Sequence, residues 1–207
     1  MPAAYADVHT GVLSSAEIVT SQSELAARLQ VKRGDPVLTQ TAVTEAVQAV
    51  QTAAVCRYAY VKLPLQWEES RCVFDFGAAE SQALARNLQG CGAAYLLCIT
   101  TGLAVDRLLR SAQLSSAQKG FFYDAAASAF AEAACDALAE LLISAETQAG
   151  YVCRPRFSPG YADLSLSFQP KLLSRLNAGD TLGIYCSPPS YLMTPSKTIT
   201  ALMGIGT

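Results

Sequence analysis

Histidine is almost missing: His9 is the only one in 207 residues. With that one histidine in the N-terminal segment, a Ser-His-Asp triad, a histidine-rich metal site and a histidine general acid are nearly excluded. Charge is scarce too. Acidic and basic residues make up 15% of the chain, against about 25% in an average soluble protein. The net charge is −2, so no basic face is available to grip nucleic acid. There is no long uncharged apolar run. The most apolar stretch, Phe121 to Ile143, carries Asp124, Glu132, Asp136 and Glu140, and four acids are costly in one bilayer span. The N-terminus lacks the basic start and apolar core of a signal peptide. The seven cysteines are scattered and show no C-x-x-C spacing. They read as buried thiols rather than zinc or redox ligands, and a cytoplasmic location is expected. Gly90-Cys91-Gly92 precedes an apolar run instead of linking a strand to a helix, so it fails the context of a dinucleotide loop.

What is present is apolar and small. Hydrophobic residues reach 51%, which excludes a largely disordered chain, and alanine is the commonest residue. Residues 1–20 show no clear period and read as a loose N-terminal segment. Residues 21–207 read as a single unit, without repeats or a composition break. Ser21 and Glu24 have capping-box spacing ahead of a short helix. Val43, Val47, Val50 and Ala54 mark one face of a second helix. Arg57 to Leu63 alternates as a strand, and Cys72 to Phe76 reads as another. Ala79 to Leu88 reads as a helix, and Ala93 to Thr100 as a buried strand between glycines. Leu103 to Leu114 predicts a helix with Asp106 and Arg110 paired at i, i+4. Lys119 to Ala149 is the longest helical stretch. Gln169 to Asn177 predicts a short helix with 178–180 as its exit. Leu182 to Cys186 and Lys197 to Gly204 predict closing strands. Helices and strands without a regular β-α-β rhythm indicate an α+β fold, a mixed or antiparallel twisted sheet packed with helices.

Two stretches could carry chemistry. In the loop from Arg154 to Asp163, two prolines fix φ, and Gly160 permits positive φ or a close approach. Arg156 offers a guanidinium fork for a carboxylate, and Tyr161 a ring face and a hydroxyl. The set suits a small zwitterionic ligand with a planar ring, or else an ordinary turn with Arg156 in a surface ion pair. On the long helix, Asp124, Ser128, Glu132, Asp136 and Glu140 recur every fourth residue, a slowly winding polar stripe. Glu132, flanked by Phe130, Ala131, Ala133 and Ala134, is placed to face an ammonium or sulfonium; the plain alternative is a solvated stripe.

The order of these features resembles a known family. Arg156-Phe157-Ser158-Pro159-Gly160-Tyr161 matches the R-x-x-x-G-Y motif of the activation (reactivation) domain of cobalamin-dependent methionine synthase. Thr101-Gly102-Leu103-Ala104-Val105-Asp106-Arg107-Leu108 is similar to that family's glycine-then-helix segment. Asp124 to Asp136 is similar to its long helix, and Pro195-Ser196-Lys197-Thr198-Ile199-Thr200 to its proline-serine stretch before a late strand. The match spans about residues 25–207 and is nearest to short stand-alone members. The G-Y-G-D run of the family is Gly160-Tyr161-Ala162-Asp163 here. The family's ligand-contacting tyrosine near the C-terminus and its N-terminal ligand-contacting aspartate have no matched residue.

The resemblance implies S-adenosylmethionine binding by Arg156, Pro159, Gly160 and Tyr161, with Glu132 at the position of the family's ligand-contacting glutamate. It implies a role in the reductive methylation of cob(II)alamin. The cobalamin is supplied by a partner, a cobalamin-dependent methionine synthase or related corrinoid protein, and the electron by a flavodoxin-like donor. No catalytic residue is required of this chain, and any turnover is expected to involve another polypeptide. Two other readings stand beside it: a capping or interaction protein that has lost donor binding, and an unrelated enzyme using Glu132 or Asp163 as a base.

Overall fold

The computed structural model describes residues 7–69 and 71–207. Its centre is a five-stranded sheet, antiparallel throughout, built from β1 (His9–Leu13), β2 (Cys56–Pro64), β6 (Cys91–Thr100), β10 (Thr198–Gly206) and β7 (Val152–Cys153), in the order β1-β2-β6-β10-β7. A meander of β3 (Gln66–Glu68), β4 (Arg71–Phe74) and β5 (Gly77–Ala79) and a hairpin of β8 (Tyr185–Cys186) and β9 (Met193–Thr194) stand apart from it. Four helices, α1 (Gln22–Arg28), α2 (Thr41–Ala53), α4 (Leu103–Ser115) and α5 (Ala117–Gln148), belong to one face. Three others, α3 (Gln82–Asn87), α6 (Gln169–Arg175) and α7 (Ala178–Leu182), cover the other together with the meander. The expected α+β architecture is the one observed.

Strand β6 shows why two layers cover this sheet. Tyr95, Leu97 and Ile99 point into the core under α5, while Ala94, Leu96 and Cys98 point into the opposite core. A strand buried on both faces must read as a continuous apolar run, because its alternation has no solvent side. The alanines of α5 have a comparable reason. Ala125, Ala126, Ala127, Ala129 and Ala134 are buried where α5 packs against α2, α4 and the sheet, and short side chains let helix axes approach closely.

Several expectations need correction. Within residues 1–20, positions 1–6 lie outside the described residues, but 9–13 are not loose. They form β1 and pair with β2 from His9↔Tyr60 to Leu13↔Cys56, with the His9 ring stacked on Tyr60 at 5.0 Å. An edge strand is held largely by backbone hydrogen bonds, which leave no hydrophobic period to read. Helix α1 does start after Ser21, but without the expected capping box: the Ser21 hydroxyl bonds to Ser23, and Glu24 pairs with Arg28. Asp106 turns away from Arg110 and accepts from the Ser196 backbone N–H and hydroxyl at 2.9 and 2.7 Å. Residues 178–182 form α7 rather than a helix exit and the start of a strand. Gly183 stops that helix at φ +69°, and Arg57 Nη2 donates to the Leu182 carbonyl at 3.0 Å. Strand β4 ends at Phe74 because the chain turns into β5.

Candidate functional site

The chain after α5 runs up the outer edge of β10. Cys153 pairs with Ile205, the Arg154 N–H donates to the Gly204 carbonyl, and Phe157 exchanges both backbone bonds with Leu202 at 2.8 Å. Side chains of an extended segment alternate. Phe157 therefore enters the core on the α3 and α6 side, and Arg156 points back to α5. This alternation is what aims the guanidinium at the polar row of the long helix.

Arg156 Nη2 lies 3.5 Å from Glu132 and also donates to Asp136, while Nη1 donates to Cys135 Sγ at 2.8 Å. Burial opposes the charge on Arg156, but Cys135 once ionised at high pH, and the Asp136 and Glu132 carboxylates, more than offset that and raise its pKa. Cys135 is fully buried. Desolvation pushes its thiol up to about 12, so it meets Arg156 as a neutral thiol. Glu132 sits between two arginines, because Arg28 Nη2 of α1 approaches it at 3.4 Å from the other side. The stripe continues along α5: Lys197 Nζ bridges Asp124 at 2.8 Å and Ser128 at 2.9 Å. The reading of this row as merely solvated is thus corrected for four of its five residues; Asp124, Ser128, Glu132 and Asp136 face Lys197, Arg28 and Arg156. Glu132, Asp136 and Glu140 also line a cleft of about 470 Å³ against residues 17–24, where Glu17 and Glu24 add two further acids.

The loop beyond Arg156 is a tight turn. The Tyr161 N–H donates to the Ser158 carbonyl at 3.1 Å, and Gly160 N–H to the Leu164 carbonyl at 2.7 Å. Gly160 has φ +87°, which favours glycine, while a Cβ there would meet only the movable tip of Leu166, at 2.8 Å from Cδ2. Ala162, where the family pattern has glycine, also takes positive φ, at +49°. Pro159 is half-buried in this turn. Tyr161 is 68% exposed, its ring edge-on to Phe157 at 5.6 Å. The structure therefore joins Arg156 to Glu132 directly, while Tyr161 turns onto Phe157.

Asp163 has a different task from that of a base. It accepts from the Ser81 hydroxyl, from the Gln82 N–H at 2.8 Å and from the Ala83 N–H at 3.2 Å, closing the start of α3. The Ser81 hydrogen bond, more than the two backbone donors, holds its carboxyl below the usual range. A carboxylate so stabilised is a poor proton acceptor, which removes Asp163 from the enzyme reading. Sequence reasoning did not reach the contacts of Arg28, Lys197 and Asp136. Asp136 carried a signal, four residues beyond Glu132 on the same row; Arg28, 104 residues from its partner, carried none.

These features define an α+β module in which an arginine loop on a sheet edge faces an acidic helix. No protein-family model matches the chain, and no curated protein matches it in sequence. Among solved structures it is similar to the MetH reactivation domain bound to AdoHcy, with a TM-score of 0.71 and 12% identity over 96% of this chain and 78% of that one. What the two share is the fold, and this chain has the fold of a methionine synthase reactivation domain. Among the described residues, no helix is long and apolar enough to cross a membrane.

Proposed function

We propose that this chain is an S-adenosylmethionine-binding reactivation module that supports reductive methylation of cob(II)alamin carried by a cobalamin-dependent methionine synthase or related corrinoid protein. The observation that carries the reading is the meeting of Arg156 with Glu132 on a fold similar to a domain solved with AdoHcy. The side chains suit such a ligand. Arg156 matches a carboxylate with its guanidinium fork, Glu132 matches an ammonium or sulfonium, and the exposed ring of Tyr161 matches a planar base. When bound, the donor supplies the methyl group; this chain's part is to orient it and exclude water. Titration calorimetry with S-adenosylmethionine tests the reading: wild type binds saturably, and Arg156→Ala weakens binding at least about tenfold, the scale of a lost charge-assisted pair. A folded wild type that takes up no heat rejects it.

A second reading, a capping protein that keeps the corrinoid partner but not the donor, draws on Tyr161 packed against Phe157 and Ala162 at positive φ. Capture of a corrinoid protein by a chain that does not bind the donor favours it.

A further inference from the structure

Among the described residues Arg156 has three partners, and they are not equally free to leave. The Cys135 thiol lies beneath it, fully buried. Glu132 is one-third exposed and tied on its far side to Arg28. The Asp136 side chain is 60% exposed and stands at the outer rim of the row, whereas Arg156 is 21% exposed. An exposed carboxylate that swings into water loses little, because surface ion pairs are weak and water resolvates the charge. The same guanidinium is the group proposed above to take a ligand carboxylate.

Building on that reading, we infer that Asp136 is a specificity-determining residue: it is the carboxylate that holds Arg156 in the ligand-free protein, and an incoming amino-acid carboxylate displaces it. The exchange is of like for like at Arg156. The released Asp136 turns to water, and Glu132 is left beside the ligand, where its carboxylate favours an ammonium close by. A ligand bringing a carboxylate and a cation together satisfies both sides. One bringing neither gains nothing from the exchange. Asp136 therefore sets a threshold that only the amino-acid end of a ligand can cross.

Calorimetry with two nucleosides tests this. S-adenosylhomocysteine carries the amino-acid end, and 5′-methylthioadenosine lacks it. Asp136→Asn keeps the shape but replaces a charged acceptor with a neutral one, which roughly halves the strength of a hydrogen bond. It should tighten S-adenosylhomocysteine about three- to fivefold, the scale of a surface ion pair, and leave methylthioadenosine unchanged. A general repacking of the loop would move both ligands together. Tighter binding of S-adenosylhomocysteine by Asp136→Asn than by wild type supports the inference. Wild-type binding of S-adenosylhomocysteine that Asp136→Asn leaves unchanged or weakens overturns it and spares the proposed function. If neither folded protein binds either nucleoside, the proposed function falls and the inference with it.

Discussion

Arg156 shows how much one residue can draw from its place in a strand. Its neighbour Phe157 is pinned to Leu202 and buried on the far face, so alternation alone turns the guanidinium to α5. Replacing it by lysine would keep the charge and lose the fork; Arg156→Lys should bind S-adenosylmethionine nearly as poorly as Arg156→Ala, and near-wild-type affinity would contradict a bidentate grip. Ala162 is the other informative residue. An L-residue at φ +49° is strained, and Ala162→Gly should stabilise the fold by about 0.5–1 kcal/mol despite the looser unfolded chain. Urea denaturation reads this as a higher midpoint at constant slope. Glu146 sets a pH dependence. It is buried, accepting from Lys62 Nζ at 2.8 Å and from the Tyr95 hydroxyl at 2.6 Å. Burial works to raise its pKa, but Lys62 and Tyr95 outweigh it and hold the carboxyl below its ordinary value. A pKa lowered by folding adds stability above the unfolded value of about 4.3, lost as pH falls through the folded value. Stability of wild type should therefore drop on acidification below about pH 4.3 more steeply than that of Glu146→Gln; parallel curves would show that the cluster adds nothing.

At the scale of elements, legibility followed the source of each element's stability. Helices α2 and α5 and strands β6 and β10 take theirs from burial, which writes a period or an apolar run into the sequence. Strand β1 and the β3-β4-β5 meander depend more on backbone pairing, and α7 on Gly183 and the Arg57 bond to Leu182; such signals are short or distant in sequence. The site divides the same way. The meeting of Arg156 with Glu132 was legible because their order along the chain follows the family motif, whereas Arg28 and Lys197 arrive through tertiary packing. Helix α3 offers a test. Ser81 caps it by accepting the Leu84 N–H at 3.0 Å while its hydroxyl donates to Asp163. Ser81→Ala should cost about 1 kcal/mol, typical of a lost N-cap, measured by chemical denaturation. An unchanged midpoint would mean that the 160–166 turn is held without it.

Across the whole molecule, two cores meet at one sheet, and β6 belongs to both. This arrangement fixes the edge of β10, along which the Arg156 segment runs, relative to α5, and so fixes the distance between loop and acidic row. A chain nearly without histidine can serve there, because holding and orienting a donor asks for charge complementarity and shape rather than proton transfer. In the proposed function the donor sits where the Arg156 loop faces α5. The most direct measurement of this is a crystal structure of the wild-type chain soaked with S-adenosylhomocysteine. The account predicts ligand density with its carboxylate on Arg156, its ammonium toward Glu132, and Asp136 turned out to solvent. Saturating ligand with no density there, and Arg156 still clasped to Asp136, would contradict it.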